Sequence, residues 1–237
     1  MSVENGTAAR TLLAQIQEGK DVLQLWERRL GRQKEYEMVI NGVFIMATYN
    51  RLSSELLIRN ALRRFPAQEG LQVLIGGLGM GFTVREACRH PGIGLVDVVE
   101  LEATVIEWNR SYFTEFNHNC LSDPRVCVLQ EDFYDYVANT VKEYDIIGMD
   151  IDNGPMMLVS EGNRRVYDVM FFRRTHGILK PGGVFAVWSC NPAPALLSGL
   201  AGVFADAWLE VVNEEHQGES VPYYLYFGRK TSCTCVL

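Results

Sequence analysis

A chain of 237 residues carrying a formal charge of −7, with 48% hydrophobic and 22% charged side chains, has room for one sizeable α/β domain and a small N-terminal addition. The acidic balance counts against non-specific nucleic-acid binding and tolerates a cationic substrate. There is no run of ~18 apolar residues and no charged-then-apolar leader, which argues against membrane insertion and secretion. Six cysteines without a CxxC pair or a histidine cluster point to a reduced, cytoplasmic setting and to no metal.

Residues 1–10 are polar or small and are expected to be disordered. From Thr11 to Leu30, Leu12, Leu13, Ile16, Leu23 and Trp26 recur at helical spacing, which predicts an amphipathic helix, single or broken near Gly19. Such a helix would pack on the main domain or close over a ligand as a lid. In EYEMVINGVFIMATY, Asn41-Gly42 separates two apolar runs, and both residues tolerate positive φ, so a β-hairpin is expected. Leu52–Phe65 reads as a helix opening at Ser53 or Ser54, and Pro66 and Gly70 then break the chain.

Next comes LQVLIGGLGMG, an apolar strand running into Gly76, Gly77, Gly79 and Gly81, which open the helix of FTVREACRH. Glycines there allow a tight turn and close approach of a ligand to helix N–H groups. LVDVVELE is a second strand ending at Glu100, an acid placed to accept both hydroxyl protons of a ribose. The bland alternative is that the glycines serve close packing and Glu100 is a solvated strand end. ATVIEWNRSYF is helical, RVCVL is a third strand closed by Glu131-Asp132-Phe133, 134–142 is a short helix, and YDIIGMD is a fourth strand ending at Asp150. A helix over 162–179, a tight turn at Lys180-Pro181-Gly182-Gly183, the strand VFAVWS and a helix over 195–204 follow. WLEVV and PYYLYFG, joined by the loop NEEHQGES, suit an antiparallel pair.

Five β–α units and that pair predict an α/β fold: a doubly wound, seven-stranded, mostly parallel sheet with one antiparallel strand near its edge. A short N-terminal helix and β-hairpin precede it. The chain divides into an N-terminal helix, hairpin and helix over 1–66, a nucleoside-binding catalytic domain over 67–230 and a tail over 231–237. Cys233 and Cys235 lie in the tail TSCTCVL, whose last four residues, TCVL, put the cysteine one place too late for a prenylation box.

Ligands of such sheets bind beyond the carboxyl ends of the strands. Those ends bring the glycine loop, Glu100, Asp132 and Asp150 to one rim. Asp132 with Phe133 is placed for the amino edge and face of an adenine. Asp150, with Asp152 and Asn153 in the loop after it, can hold an amine and accept its proton; the alternative is a capping role. Trp188, Tyr223, Tyr224 and Tyr226 could line a pocket or belong to the core. No Ser–His–Asp or P-loop pattern speaks for a hydrolase or NTPase.

VLIGGLGMGFTVREA, VDVVELEATVIEWNR, DPRVCVLQED, YDIIGMDIDNGP and LKPGGVFAVWS, in that order, resemble the spermidine synthase family of polyamine aminopropyltransferases. The resemblance implies a Rossmann-like class I S-adenosylmethionine-dependent methyltransferase fold. Gly76, Gly77, Gly79, Gly81, Glu100, Leu101, Asp132, Phe133 and Asp150 would hold the nucleoside donor, and Asp150, Asp152 and Asn153 would serve catalysis. The substrate end departs from the family. Its Asp-Ser-Ser-Asp-Pro reads Asp150-Ile151-Asp152-Asn153-Gly154-Pro155, its Gly-Gly-Gly-Asp loop reads Gly76-Gly77-Leu78-Gly79, and its Tyr-His-Glu reads Ser53-Ser54-Glu55.

The function implied is a transferase that binds S-adenosylmethionine or decarboxylated S-adenosylmethionine and moves, or cyclises, the aminopropyl-type arm with release of methylthioadenosine. Alternatives are methyl transfer to a small molecule, cyclisation to azetidine-2-carboxylate, and a non-catalytic nucleoside-binding relative. The partners implied are a small-molecule amine, or none beyond the donor, and a second copy in a homodimer, with no nucleic acid, no membrane and no metal.

Overall fold

A computed structural model describes residues 9–65, 68–216 and 219–231. Pro66, the first eight residues and the tail cysteines Cys233 and Cys235 lie outside the described residues.

The expected N-terminal helix is instead a pair of strands. β1 (Ala9–Glu18) and β2 (Asp21–Leu30) form an antiparallel hairpin turning at Gly19-Lys20, and β3 (Gln33–Ile40) and β4 (Val43–Ala47) complete a four-stranded sheet in the order β1-β2-β3-β4. The register of β1 shifts between Leu12 and Ala14. A bulge of this kind puts an extra residue into the strand and breaks the two-residue alternation, leaving an apolar spacing that imitates a helix. The β3–β4 hairpin turns at Asn41 and Gly42, with φ of 53° and 77°, as the Asn-Gly pair predicts.

α1 (Leu52–Leu62) opens without a serine cap: Arg51 stands at the N-cap, and Ser53 and Ser54 lie inside the first turn. Then β5 (Leu71–Gly76), α2 (Phe82–Arg89), β6 (Ile93–Glu100), α3 (Ala103–Ser111), α4 (Thr114–Asn117), β7 (Val126–Gln130), α5 (Phe133–Asn139) and β8 (Tyr144–Met149) alternate. The helix expected over 162–179 is a 3₁₀ segment, Glu161–Tyr167, followed by α6 (Val169–Gly177), where Asp168 caps by accepting from Phe171 N. β9 (Leu179–Ser189) takes in the Lys180–Gly183 stretch as an irregularity, Gly182 having φ of 81°, and not as a turn before it. α7 (Pro194–Ala201), β10 (Asp206–His216) and β11 (Glu219–Arg229) end the chain. Most of the expected loop NEEHQGES is ladder, with Glu214 opposite Val221.

The large sheet has the order β10-β11-β9-β8-β5-β6-β7, and β11 runs antiparallel to both neighbours while β5 to β9 are parallel. Successive side chains of a strand point to opposite faces. Val73, Ile75, Val98 and Ile146 therefore share one core with α1 and α2, and Leu74, Val99, Ile147 and Phe185 share the other with α5, α6 and α7. A buried ion pair between Arg85 of α2 and Glu55 of α1 ties the first face together. The strand order reverses between β8 and β5, so the tips of those strands open a crevice there.

Candidate active site

A single pocket gathers the tips of β5, β6, β7 and β8 under the N-terminal sheet. Gly77, Gly79, Glu100, Leu101, Asp132, Phe133, Asp150, Asp152 and Asn153 all line it. Gly76 and Gly81, expected to touch a ligand, are not among the residues that line the pocket. A Cβ on Gly76 would meet the Phe133 ring at 2.6 Å, and Gly81 is the N-cap of α2 packed on Asn109 and Asn117. Gly77 is the constrained one: its φ is +87°, and a Cβ there would lie 2.3 Å from the carbonyl oxygen of Asp150.

Glu100 ends β6 with both oxygens turned to backbone, Oε2 accepting from Leu78 N at 2.8 Å and Oε1 from Glu102 N at 2.9 Å. Burial pushes its carboxyl up against those bonds, which pull the other way. The same bonds fix its orientation beside the glycine loop, and each oxygen keeps acceptor capacity for a hydroxyl. Asp132 caps α5 by accepting from Asp135 N at 3.2 Å, while its other oxygen takes Arg165 at 2.5 Å. Arg165 is also stacked over the Tyr134 ring, 4.5 Å from its centroid.

Asp150 follows β8, and its N–H donates to Gly76 O at 2.9 Å, which places it directly beside the glycine loop. Thr83 Oγ1 of α2 donates to Oδ2 at 3.1 Å. Burial raises the Asp150 carboxyl above the usual aspartate range, opposed by the hydroxyls of Ser54 and Thr83. Asp152, expected to share the base role, lines the pocket and is held by the loop around it. Its Oδ1 accepts from Asn153 N and Val159 N at 2.9 and 2.7 Å, and Oδ2 from Asn163 Nδ2 at 2.8 Å. It braces the loop after β8. Asn153 donates from Nδ2 to Phe44 O at 2.9 Å and so pins that loop to β4.

Several pocket residues carry no signal in the sequence. Met38, Ile40, Ile45 and Met46 reach in from the N-terminal sheet, and Met46 Sδ accepts from Met80 N at 3.1 Å. Glu18 accepts from Ala103 N and Thr104 N at 2.8 and 3.1 Å, at the start of α3. Asn41 Nδ2 donates to Asp21 Oδ1 at 2.6 Å and reaches Val159 O at 3.4 Å. Through Glu18 and Asn41 these turns latch the small sheet over the site. Thr83, two residues after Gly81, could have been suspected as a hydroxyl in a helix first turn. Trp188 of the aromatic stripe lines the pocket, whereas Tyr226 is buried and its hydroxyl accepts from Ala193 N.

Seven carboxylates (Asp21, Glu100, Glu102, Glu131, Asp132, Asp150, Asp152) line the pocket against one basic side chain, Arg165, which is already paired. The field favours a cationic ligand. Among the described residues, no group of His, Cys, Asp and Glu is arranged to hold a metal ion, and no helix is long and apolar enough to cross a membrane.

Glu102 shows the strain of this crowding: burial, then the charges of Glu18, Glu100 and Asp21, push its carboxyl up to about 7. A carboxyl whose pKa is raised by folding favours the folded state in acid, and that contribution is lost as pH rises through the folded value. Thermal stability should therefore fall between about pH 5 and about pH 8, by ~2–4 °C after allowing for solvent screening, and Glu102→Gln should flatten that slope. Melting curves across this range check it.

The family model of the spermine/spermidine synthase domain matches residues 54–194. Polyamine aminopropyltransferase 2 of Pseudomonas aeruginosa is 30% identical over 165 residues, covering 65% of this chain and 45% of that protein. The polyamine aminopropyltransferase of Prochlorococcus marinus is 32% identical over 159 residues, covering 65% and 52%. This chain thus spans about half the length of the curated relatives it matches. The crystal structure of spermidine synthase from Thermotoga maritima superposes with a TM-score of 0.75 at 20% identity, covering 92% of this chain and 72% of that one.

Proposed function

Because the chain belongs to the spermine/spermidine synthase domain family, we propose that it transfers the aminopropyl arm of decarboxylated S-adenosylmethionine to a small amine and releases methylthioadenosine. The observation that carries this reading is Asp150, a carboxyl raised by burial, set in the same acid-lined pocket as Glu100 with no cationic partner among the described residues. The fit of the donor rests on the residues present. Glu100 takes the ribose hydroxyls, Leu101 and Phe133 flank the adenine, Asp132 faces its amino edge, and the surplus of carboxylates suits a sulfonium and an ammonium together.

The chemistry is a substitution at carbon. The acceptor nitrogen forms a bond to the propyl carbon, the C–S bond breaks, and its electron pair stays on sulfur, leaving a neutral thioether. Asp150 takes the proton that the attacking amine must lose, and a raised pKa makes it a better base than an ordinary aspartate at neutral pH. Thr83 and Ser54 aim the carboxylate, and burial under the N-terminal sheet keeps competing water out. In this reading the small sheet, β1 to β4, forms the cover of the site, and α1, which shares a core with the large sheet, belongs with the catalytic unit.

The test is mass spectrometry of products after incubation with decarboxylated or intact S-adenosylmethionine, each with and without putrescine. Methylthioadenosine and an aminopropylated amine from the decarboxylated donor are expected. Formation of S-adenosylhomocysteine in their place would sink the proposal.

A further inference from the structure

Helix α1 has no cap of its own. Arg51 occupies the N-cap position and offers no acceptor, so the first-turn N–H groups need partners from elsewhere. Glu214 of β10 supplies one: its Oε1 accepts from Ser53 N at 2.5 Å, across 161 residues of sequence. Glu214 is 6% exposed. A second tie lies two turns along, where Asn60 Nδ2 donates to Glu210 Oε2 at 2.7 Å. Two acids of one strand therefore grip α1, and one of them grips it next to Asp150.

The tie at Ser53 reaches the site through the next residue. Thr83, which donates to the Asp150 carboxyl at 3.1 Å, also reaches Ser54 O at 3.4 Å, so the first turn of α1 is packed against the groups that hold Asp150. Resting on the functional reading above, we propose that Glu214 is a positioning residue: by capping α1 from the far edge of the sheet it holds the first turn, with Ser54, against Thr83 and Asp150. The groups that act on Asp150 are Ser54 of α1 and Thr83 of α2; the charges of Asp150 and Asp152 are both felt by Tyr167, and that of Glu214 by Tyr223.

The Ser54 hydroxyl favours the ionised carboxyl. Its loss raises the Asp150 pKa and shifts the acid limb of the rate profile to higher pH. The experiment follows the Asp150 carboxyl by carbon-13 NMR titration in the unliganded protein, the resonance being assigned by its absence in Asp150→Asn. Glu214→Gln keeps a carbonyl acceptor and should leave the titration in place. Glu214→Leu should move it upward and lower kcat/KM about tenfold below the limb, with KM for the donor unchanged. Asn60→Ala breaks the other tie and should lower Tm without moving the titration.

If Glu214→Leu leaves Asp150 unmoved, or if Glu214→Gln or Asn60→Ala moves it equally, the proposal is overturned. Should Glu214→Leu fail to fold, hydrogen exchange of the Ser53 amide in the intact protein decides: slowing of ~100-fold is expected for a capped amide, and rapid exchange overturns the cap. A protein that titrates as expected yet releases no methylthioadenosine would instead overturn the functional reading alone.

Discussion

Replacing Asp150 with asparagine is expected to lower kcat by ~10²- to 10⁴-fold, the usual contribution of a positioned base, while calorimetric binding of methylthioadenosine stays nearly unchanged. Asparagine keeps the shape of the side chain and can still meet Thr83 Oγ1, but it cannot take a proton. The wild-type profile of kcat/KM should rise with pH through a limb above the ordinary aspartate range, because burial raises this carboxyl and only its ionised form acts as base. Asp150→Asn should remove the limb along with the rate. A variant with near-normal turnover would show that the proton leaves by another route.

The second large effect is structural. Gly77→Ala would put a methyl group 2.3 Å from Asp150 O at a φ of +87°. The methyl would meet backbone, which cannot swing aside as a side chain can, since Ile151 Cα also lies 2.9 Å away. Strain of this kind, together with the displaced β8 tip, should cost about 3 kcal/mol or more, or ~6–12 °C in Tm, and should abolish turnover even in the folded fraction. Gly177→Ala is the control, because a Cβ there meets nothing within 4 Å. Equal melting temperatures for the two variants would contradict the close approach of the glycine loop to Asp150.

These two residues were both legible before any coordinates. The run from Leu71 to Gly81 and the acids ending their strands are local patterns, and the rule that parallel strands present their ligands at their carboxyl ends turns them into a shared rim. Where each carboxylate spends its lone pairs was not legible. Asp150 and Asp152 are two residues apart and chemically alike, yet Asp152 is consumed by Asn153, Val159 and Asn163 while Asp150 meets two hydroxyls. That division depends on which loop atoms come to lie around each side chain.

Runs of apolar residues determined the central sheet, its glycine crevice and the set of acids at its tips, because burying both faces of a strand leaves a mark in the sequence itself. β1 escaped, since the shift in register after Leu12 disturbs the alternation of a strand and Leu13 adds an apolar residue out of phase. Only the tertiary structure decided that this small sheet covers the site, that Arg165 meets Asp132 and that Glu214 caps a helix begun at Leu52. Such contacts join residues far apart in the chain, and their energy depends on a geometry that exists only once both elements have docked on the same core.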